Sequence, residues 1–477
     1  MKTTDTLFRR GAFAGIRPAA TAAEAPATPA TTLDVTAAER RRLPNGVALY
    51  LLHADEFEVL RVSFVFRAGS VHQQVPFSAS ATANLLAEGT RGLTAAEVAE
   101  RLDYYGSWYD VSIDRDYVYI SFAMLSRFAA ETLAVAEQVL LRPLFPEEEV
   151  AAYCAERRQR LAIERRKVDV EAREAFARAL FGPEHPYGIA ADEAAYERLT
   201  RNDVAAFYER HYTAPNCFVV CSGRIDPAAE EAVAAIAAQL PGGPCTEEIS
   251  RPGVAEPQVA AGAFAGADTA TAAEGSPFVG ADTRPFPAPA TQHEVRVAHP
   301  GAVQSSIRIG RLLFPRRHPD FAGMQVVAAA LGGYFGSRLM QNLRERNGYT
   351  YGVVAAMVNF ERAGYLAVAA QVGTEVTGAA LAEIYAEIER LRTELLPDEE
   401  LALVKRIMEG EMMRILDGPF GIADVTIENL LCGTDNGAIN RNLALIRATT
   451  PEDVRRLARK YLAREDLVTV VAGDSLS

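Results

Sequence analysis

The sequence predicts an α+β protein built from two copies of one domain. Pro146 and three glutamates open a predicted helix, and Pro397-Asp-Glu-Glu opens another at almost the same offset that separates Thr200-Arg-Asn-Asp-Val from Thr450-Pro-Glu-Asp-Val. Strands and helices come in blocks instead of alternating strictly. This order favours a mostly antiparallel sheet with helices packed on one face in each copy, and two such copies would form a half-shell.

The first copy is predicted from hydrophobic periodicity and from turn and cap residues. Thr94 is expected to cap a helix, and Asp114-Arg-Asp116 is expected to be a tight turn between two strands. Residues 43–52 are predicted to form a turn at Asn45-Gly46 followed by a strand, and further predicted strands cover residues 59–68, 107–113, 117–123 and 217–222. The predicted helices cover residues 77–86, 95–104, 128–141, 146–166, 171–181, 202–212 and 227–239.

Composition sets the expected domain boundaries. Residues 1–38 are rich in Ala, Pro and Thr and are predicted to be a disordered lead-in. The first domain is placed at 39–241 and the second at 293–477. Between them, residues 242–292 contain Ala, Gly, Pro and Thr without an apolar period, so we interpret them as a linker.

Charge and composition exclude several classes of partner. A formal net charge of -13 argues against nucleic acid, since no basic excess is available to neutralise phosphates. No apolar run approaches the ~20 residues of a membrane span. The five scattered cysteines do not form a disulfide framework, and Cys217 and Cys221 are expected to be a buried, reduced pair on one strand face. Cytoplasmic location is the default, while the arginine-bearing N-terminus leaves export or organelle targeting open.

The stretch around Arg344 and Tyr351 carries the strongest functional signal. Leu339, Met340 and Leu343 recur at helical spacing, Gly348 ends that helix, and a β-rich run begins at Tyr349. An arginine near a helix end and a tyrosine at a strand start could both donate to a peptide carbonyl or an oxyanion. Alternatively, Arg344 pairs with a nearby acid such as Glu345, and Tyr351 is a half-buried strand residue.

Leu331-Gly-Gly, Ser337-Arg-Leu, Leu343-Arg-Glu and Gly348-Tyr-Thr-Tyr351 together resemble the second-half signature of the insulinase/pitrilysin-like peptidases, the M16 family, which includes the mitochondrial processing peptidase. The resemblance covers roughly residues 40–475. It implies two homologous M16-type domains, and it implies that Arg344 and Tyr351 bind the substrate peptide opposite a zinc site.

The same resemblance identifies a degenerate zinc site in the first half. Active members carry H-x-x-E-H on a helix, with two histidines for zinc and a glutamate that activates water. Aligned on Gly89-Thr90, those positions hold Ser80, Ala83 and Asn84. The position of the third ligand falls near residues 159–160, about one turn before Glu164.

These observations lead to a specific functional hypothesis. We expect a zinc-lacking, non-catalytic subunit of a metalloendopeptidase, inactive alone and binding no metal itself, with zinc supplied by an M16 partner in a heterodimer, although a homodimer stays open. The expected substrate is a peptide or small protein that adds as an edge strand to a sheet. The alternative is a peptide-binding or scaffold protein without a proteolytic role.

Overall fold

The computed structural model describes residues 32–33, 35–190, 192–243, 290 and 292–474. Most of the predicted lead-in (1–38) and linker (242–292) lies outside these residues, so the character of both segments stays a prediction. Within the described ranges, no helix is both long enough and apolar enough to cross a membrane.

The first half of the chain is described from β1 to α8. Its strands are β1 (Glu39–Arg42), β2 (Ala48–His53), β3 (Val59–Phe66), β4 (Trp108–Ile113), β5 (Val118–Leu125) and β6 (Cys217–Gly223). Its helices are α1 (Ser78–Leu85), α2 (Ala95–Tyr104), α3 (Ala129–Leu141), α4 (Glu147–Glu164), α5 (Val168–Phe181), α6 (Glu193–Arg198), α7 (Arg201–His211) and α8 (Pro227–Ala238).

The second half has a similar order of strands and helices, from β7 to β11. Its strands are β7 (Glu294–Ala298), β8 (Gln304–Leu313), β9 (Val353–Asn359), β10 (Gly364–Gly373) and β11 (Val468–Gly473). Its helices are α9 (Phe321–Ala328), α10 (Thr377–Thr393), α11 (Asp398–Ile415), α12 (Pro419–Leu431), α13 (Gly437–Ala448) and α14 (Pro451–Tyr461). Two wide π-type helical turns, Ala329–Gly333 and Met340–Arg346, lie between α9 and β9.

The two sheets have the same strand order. The first runs β1-β2-β6-β3-β5-β4 and the second runs β7-β11-β8-β10-β9, so β7 corresponds to β2 and β9 to β4. Each sheet has one parallel pair, β2 with β6 and β7 with β11, and its other pairs are antiparallel. The predicted fold class, α+β with two homologous, mostly antiparallel domains, is confirmed.

The repeat extends to the helix caps. The Thr200 hydroxyl accepts from the Asp203 backbone N–H while the Asp203 carboxylate accepts from the Thr200 N–H, and Thr450 and Asp453 do the same. Such a reciprocal pair satisfies two donors that the first helical turn leaves open. Pro146 and Pro397 precede α4 and α11 with nearly identical backbone angles, φ -54° with ψ 140° and 139°.

Each half lends one helix to the sheet of the other half. Helix α12 packs on the first sheet, where Ile427 and Leu430 join the cluster that contains Tyr50 and Phe218. Helix α5 packs on the second sheet, and its Phe176 shares a cluster with Val468 and Val470 of β11. Both sheets are therefore covered on both faces. This explains why β6 is buried along its whole length, as expected for a strand with the apolar run Cys217–Cys221.

The turn between β4 and β5 lies where the two halves meet. The Asp114 carboxylate accepts from the backbone N–H groups of Asp116 and Tyr117, both at 2.7 Å, which closes the predicted tight turn. Asp116 is 2% exposed and accepts from the Tyr187 hydroxyl at 2.8 Å and from the backbone N–H of Glu361 at 2.9 Å. A turn that is polar in sequence thus forms part of a buried contact between the halves.

Candidate functional site

The segment that carries Arg344 is a wide helical turn that ends as predicted. Residues Met340–Arg346 form a π-type helix, and the Asn347 N–H donates to the Asn342 carbonyl five residues back at 3.1 Å. Gly348 follows with φ of 66°, a conformation that glycine adopts without steric cost. Gly348 therefore ends the helix for the reason that the sequence suggests.

Asn342 anchors this segment to α10. It is 2% exposed, and its amide donates to Glu387 at 2.7 Å and to Glu383 at 2.8 Å. Its side-chain oxygen accepts from the Asn347 amide at 2.7 Å. Because these contacts join a buried amide to two carboxylates, they hold the backbone on either side of Arg344 in one place.

The Arg344 side chain lies partly in solvent, 39% exposed, and is held from two sides. Its Nε lies 3.5 Å from a carboxylate oxygen of Glu345, the pairing that the alternative interpretation expects. Its guanidinium carbon also lies 4.8 Å from the ring centroid of Phe335, which is itself 43% exposed. The stack leaves the edge of the planar fork able to donate to a bound group.

Tyr351 departs from its predicted setting. It was expected at the start of a strand, but β9 begins at Val353, where pairing with β10 also starts. The Thr350 hydroxyl bonds to the Gln371 carbonyl at 2.6 Å and accepts from the Gly352 N–H at 3.1 Å, so a side chain takes the place of the sheet ladder. Tyr351 is 91% exposed, which contradicts the alternative that it is half-buried.

A cavity of about 260 Å³ opens beside Tyr351. Asp169 of α5 reaches it from the first half, and Gln304 and the end of β10 line the remainder. Arg308 donates to Asp169 at 2.6 Å. Burial alone would raise the pKa of Asp169, but the Arg308 charge and hydrogen bond lower that pKa below its ordinary value. Tyr351 therefore projects beside a recess that residues of both halves line.

The three predicted degenerate positions lie on α1, and their polar groups are occupied locally. The Ser80 hydroxyl donates to the Phe77 carbonyl at 3.0 Å, and the Asn84 amide donates to the Ser80 carbonyl at 2.7 Å. Ala83 is fully buried in the first core. Zinc requires imidazole, thiolate or carboxylate donors. A hydroxyl, a methyl group and an amide do not fit it.

Helix α4 presents an arginine to this site. Arg157 Nη2 donates to the Asn84 side-chain oxygen at 3.2 Å, whereas Glu164, about one turn after the expected third-ligand position, pairs with Arg160 at 3.2 Å. Across the described ranges, no three His, Cys, Asp or Glu side chains are grouped so that they could hold a metal ion. The geometry thus brings Ser80 and Asn84 together with Arg157.

Two side chains that contact the candidate site residues could not be predicted from the sequence. Phe335 precedes Arg344 by nine residues in a glycine-rich turn, and no helical or strand period links the two. Arg157 follows Tyr153 by four residues on α4, and this spacing places the two on one helix face. The spacing on α4 is a usable signal, but it does not say which neighbouring helix that face meets.

The described residues form two repeated α+β halves whose sheets share one strand order. Residues 198–408 match the family model described as the peptidase M16 inactive domain. The chain is also 23% identical over 391 residues to an uncharacterized zinc protease of Streptomyces coelicolor, a match that covers 81% of this chain and 79% of the relative.

Solved structures show a similar fold. A peptidase M16 inactive domain from Pseudomonas fluorescens superposes with a TM-score of 0.78 at 21% identity, covering 92% of this chain and 99% of that one. A protease from Helicobacter pylori gives a TM-score of 0.75 at 16% identity, covering 92% of this chain and 100% of that one. The matches confirm the predicted resemblance to the M16 peptidases, and the structural likeness shows the fold.

Proposed function

We propose that this chain is a zinc-lacking, non-catalytic subunit of an M16-type metalloendopeptidase that binds the substrate backbone through Arg344 and Tyr351. The observation that carries the proposal is the contrast in exposure. The Tyr351 phenol stands 91% exposed beside a cavity, while Asn84, at a predicted metal-ligand position, accepts a hydrogen bond from an arginine. The exposed donors of Arg344 and Tyr351 therefore support a role in binding a peptide, and the side chains of Ser80, Ala83 and Asn84 supply no zinc ligand.

The chemistry of the pair suits a peptide carbonyl. The Arg344 guanidinium carries a permanent charge and several N–H donors, and the Tyr351 phenol adds a neutral donor. Donors of this kind stabilise the negative charge that develops on a carbonyl oxygen under attack. Zinc, the attacking water and the general base would come from the partner subunit, while this chain's residues would hold and orient the peptide.

Strand addition is the expected mode of peptide binding. Strands β4 and β9 each have one paired neighbour in the described sheets, so each presents a free edge. Main-chain hydrogen bonds to such an edge tolerate many side-chain sequences. This mode would let one subunit accept peptides of varied sequence while Arg344 and Tyr351 fix one carbonyl.

The test compares the chain alone with the chain mixed with an M16 relative that carries H-x-x-E-H and is encoded beside it. Peptide cleavage should require both subunits. Arg344→Ala should then lower kcat/KM of the mixed protein at least tenfold, on the scale of about 2–4 kcal/mol for a lost oxyanion donor. Arg346→Ala, two residues away on the same turn, is the matched control and should change kcat/KM less than twofold. An unchanged rate for Arg344→Ala would rule out the role.

A scaffold role is the second candidate. Two observations favour it: Arg344 already lies within ion-pair distance of Glu345, and the helix exchange ties the halves into one body without any ligand. A scaffold would bind its M16 relative without making it active. The mixing experiment separates the two, since complex formation without cleavage would support the scaffold and exclude the peptidase subunit.

A further inference from the structure

Arg157 brings a fixed positive charge to the positions where active relatives are expected to hold zinc. Its Nη2 donates to the Asn84 side-chain oxygen at 3.2 Å, and its guanidinium carbon lies 5.0 Å from the centroid of the Tyr153 ring. Its Nε is buried without a hydrogen-bond partner. In the described part of the chain, these contacts of Arg157 are with neutral groups.

The neighbours of Arg157 also come from both helices. Tyr153 lies one turn before it on α4, is 9% exposed and interacts with Ser80 of α1 as well as with Arg157. Burial raises the pKa of Tyr153, so its phenol stays protonated and neutral near pH 7. The Arg157 cation therefore contacts a phenol ring of α4 and an amide of α1, and it joins the two helices.

We propose that the Arg157 guanidinium takes the place of a metal ion in this fold: it links α1 to α4 as a permanent cation and excludes divalent cations from the site. A guanidinium has five N–H donors and no lone pair, so it cannot be a ligand, and it does not lose its proton in a protein. It also occupies the Asn84 oxygen, and its charge repels a dication across a partly desolvated gap. Two features therefore oppose metal binding at this site: the histidine ligands are missing, and Arg157 supplies a positive charge.

This inference goes beyond the proposed function, and its test measures metal binding. The double variant S80H/N84H of the full chain places two imidazoles four residues apart on one face of α1. Zinc alone is titrated calorimetrically into this variant, once with Arg157 kept and once with Arg157→Gln. The glutamine variant should bind zinc at least tenfold more tightly. Equal affinities within twofold would overturn the proposal.

A neighbouring arginine provides the control. Arg158 lies on the same helix, is 51% exposed and pairs with Glu197 at 2.6 Å. In the S80H/N84H background, Arg158→Gln removes the same charge from α4 and should change zinc affinity less than twofold. A gain as large as that of Arg157→Gln would show that total charge, and not the position of Arg157, controls binding, and would overturn the proposal.

A second measurement covers the case in which S80H/N84H does not fold. If Arg157 links α1 to α4, then Arg157→Gln in the otherwise unchanged chain should lower Tm more than Arg158→Gln does. Arg157→Lys should recover part of the loss, because it keeps the charge. Equal Tm values for Arg157→Gln and Arg158→Gln would contradict the linking role.

Discussion

The two halves of this protein share one fold but expose their polar groups in opposite ways. In the first half, Asn84 donates to its own helix and accepts from Arg157. In the second half, Arg344 is partly in solvent and Tyr351 is 91% exposed. One half therefore presents exposed donors, whereas the polar side chain of Asn84 in the other half is hydrogen-bonded within the protein.

The two halves differ in whether these polar side chains already have hydrogen-bond partners within the protein. A side chain whose donors and acceptors already have internal partners gains little from a ligand, since binding must break those contacts. Tyr351 has its phenol in water, while its backbone position is fixed by the turn that Thr350 closes. A pre-positioned donor in solvent loses little freedom on binding. This difference supports the proposal that the second half binds the peptide.

The largest expected effect comes from replacing Asn342, which anchors the segment that carries Arg344. Asn342→Leu should lower the free energy of unfolding by about 1.5–3 kcal/mol, because buried Glu387 loses a hydrogen bond to its charged group. Urea unfolding measures this loss. Gln341→Ala, the exposed neighbour, should cost below about 0.5 kcal/mol. Equal losses for the two variants would show that Asn342 does not anchor the Arg344 segment.

A pH-dependent effect is expected where the two halves meet. Burial, with the nearby Asp116 charge, raises the pKa of Asp114 from 3.8 to about 7. Between these values the folded protein holds a proton that the unfolded chain has released. The Asp114 contribution to stability is therefore present at low pH and falls as pH rises to about 7, by at most about 1.4 kcal/mol per pH unit.

Asp114→Asn removes this titration while keeping an acceptor for the turn N–H groups. Urea unfolding at pH 5 and pH 7.5 should show the wild type losing stability relative to Asp114→Asn as pH rises. The contributions of titrating groups far from Asp114 cancel in this difference. Parallel behaviour of the two proteins would mean that Asp114 titrates in the fold as it does in the unfolded chain.

Removing the Tyr351 hydroxyl should have a smaller effect, which is measured on kcat/KM. Tyr351→Phe deletes one neutral donor, worth about 0.5–1.5 kcal/mol, so kcat/KM of the mixed protein should fall about two- to twelvefold. Steady-state kinetics with a peptide substrate measures the change. Tyr349→Phe is the control, because Tyr349 packs against the second core, and it should have no effect on kcat/KM. If the two variants behave alike, the Tyr351 phenol does not contact substrate.

The smallest expected effect concerns the ring under Arg344. Phe335→Ala removes a cation–π stack worth about 0.5–1 kcal/mol at an exposed site, so kcat/KM should fall about two- to fivefold. Phe335→Trp keeps an aromatic face and should retain the wild-type rate. A loss with tryptophan as large as with alanine would show that the size of the side chain, and not the stack, matters.

Local features of this fold could be predicted from sequence because their causes are local. Thr94 and Thr200 cap the expected helices through hydrogen bonds within four residues. Cys217 and Cys221 lie buried in one core cluster on β6, as their spacing predicts. The repeat was visible because the same caps recur in the second half.

The features that could not be predicted depend on distant partners. The sequence of an apolar helix face does not indicate which sheet that face covers. The packing of α5 and α12 on the sheet of the opposite half could therefore not be predicted from the sequence. The setting of Tyr351 was predicted wrongly because the Thr350 side chain competes with the β ladder for the Gln371 carbonyl. The contact between Arg157 and Asn84 joins residues 73 positions apart, and no local pattern contains it.

The most direct test of the contrast between the halves is kcat/KM of the mixed protein carrying one of two matched double variants. S80A/N84A alters the internally hydrogen-bonded side chains of the first half, and R344A/Y351F alters the exposed donors of the second half. The account predicts that S80A/N84A cleaves peptide within twofold of wild type, whereas R344A/Y351F loses at least tenfold. A large loss in S80A/N84A, or full activity in R344A/Y351F, would contradict it.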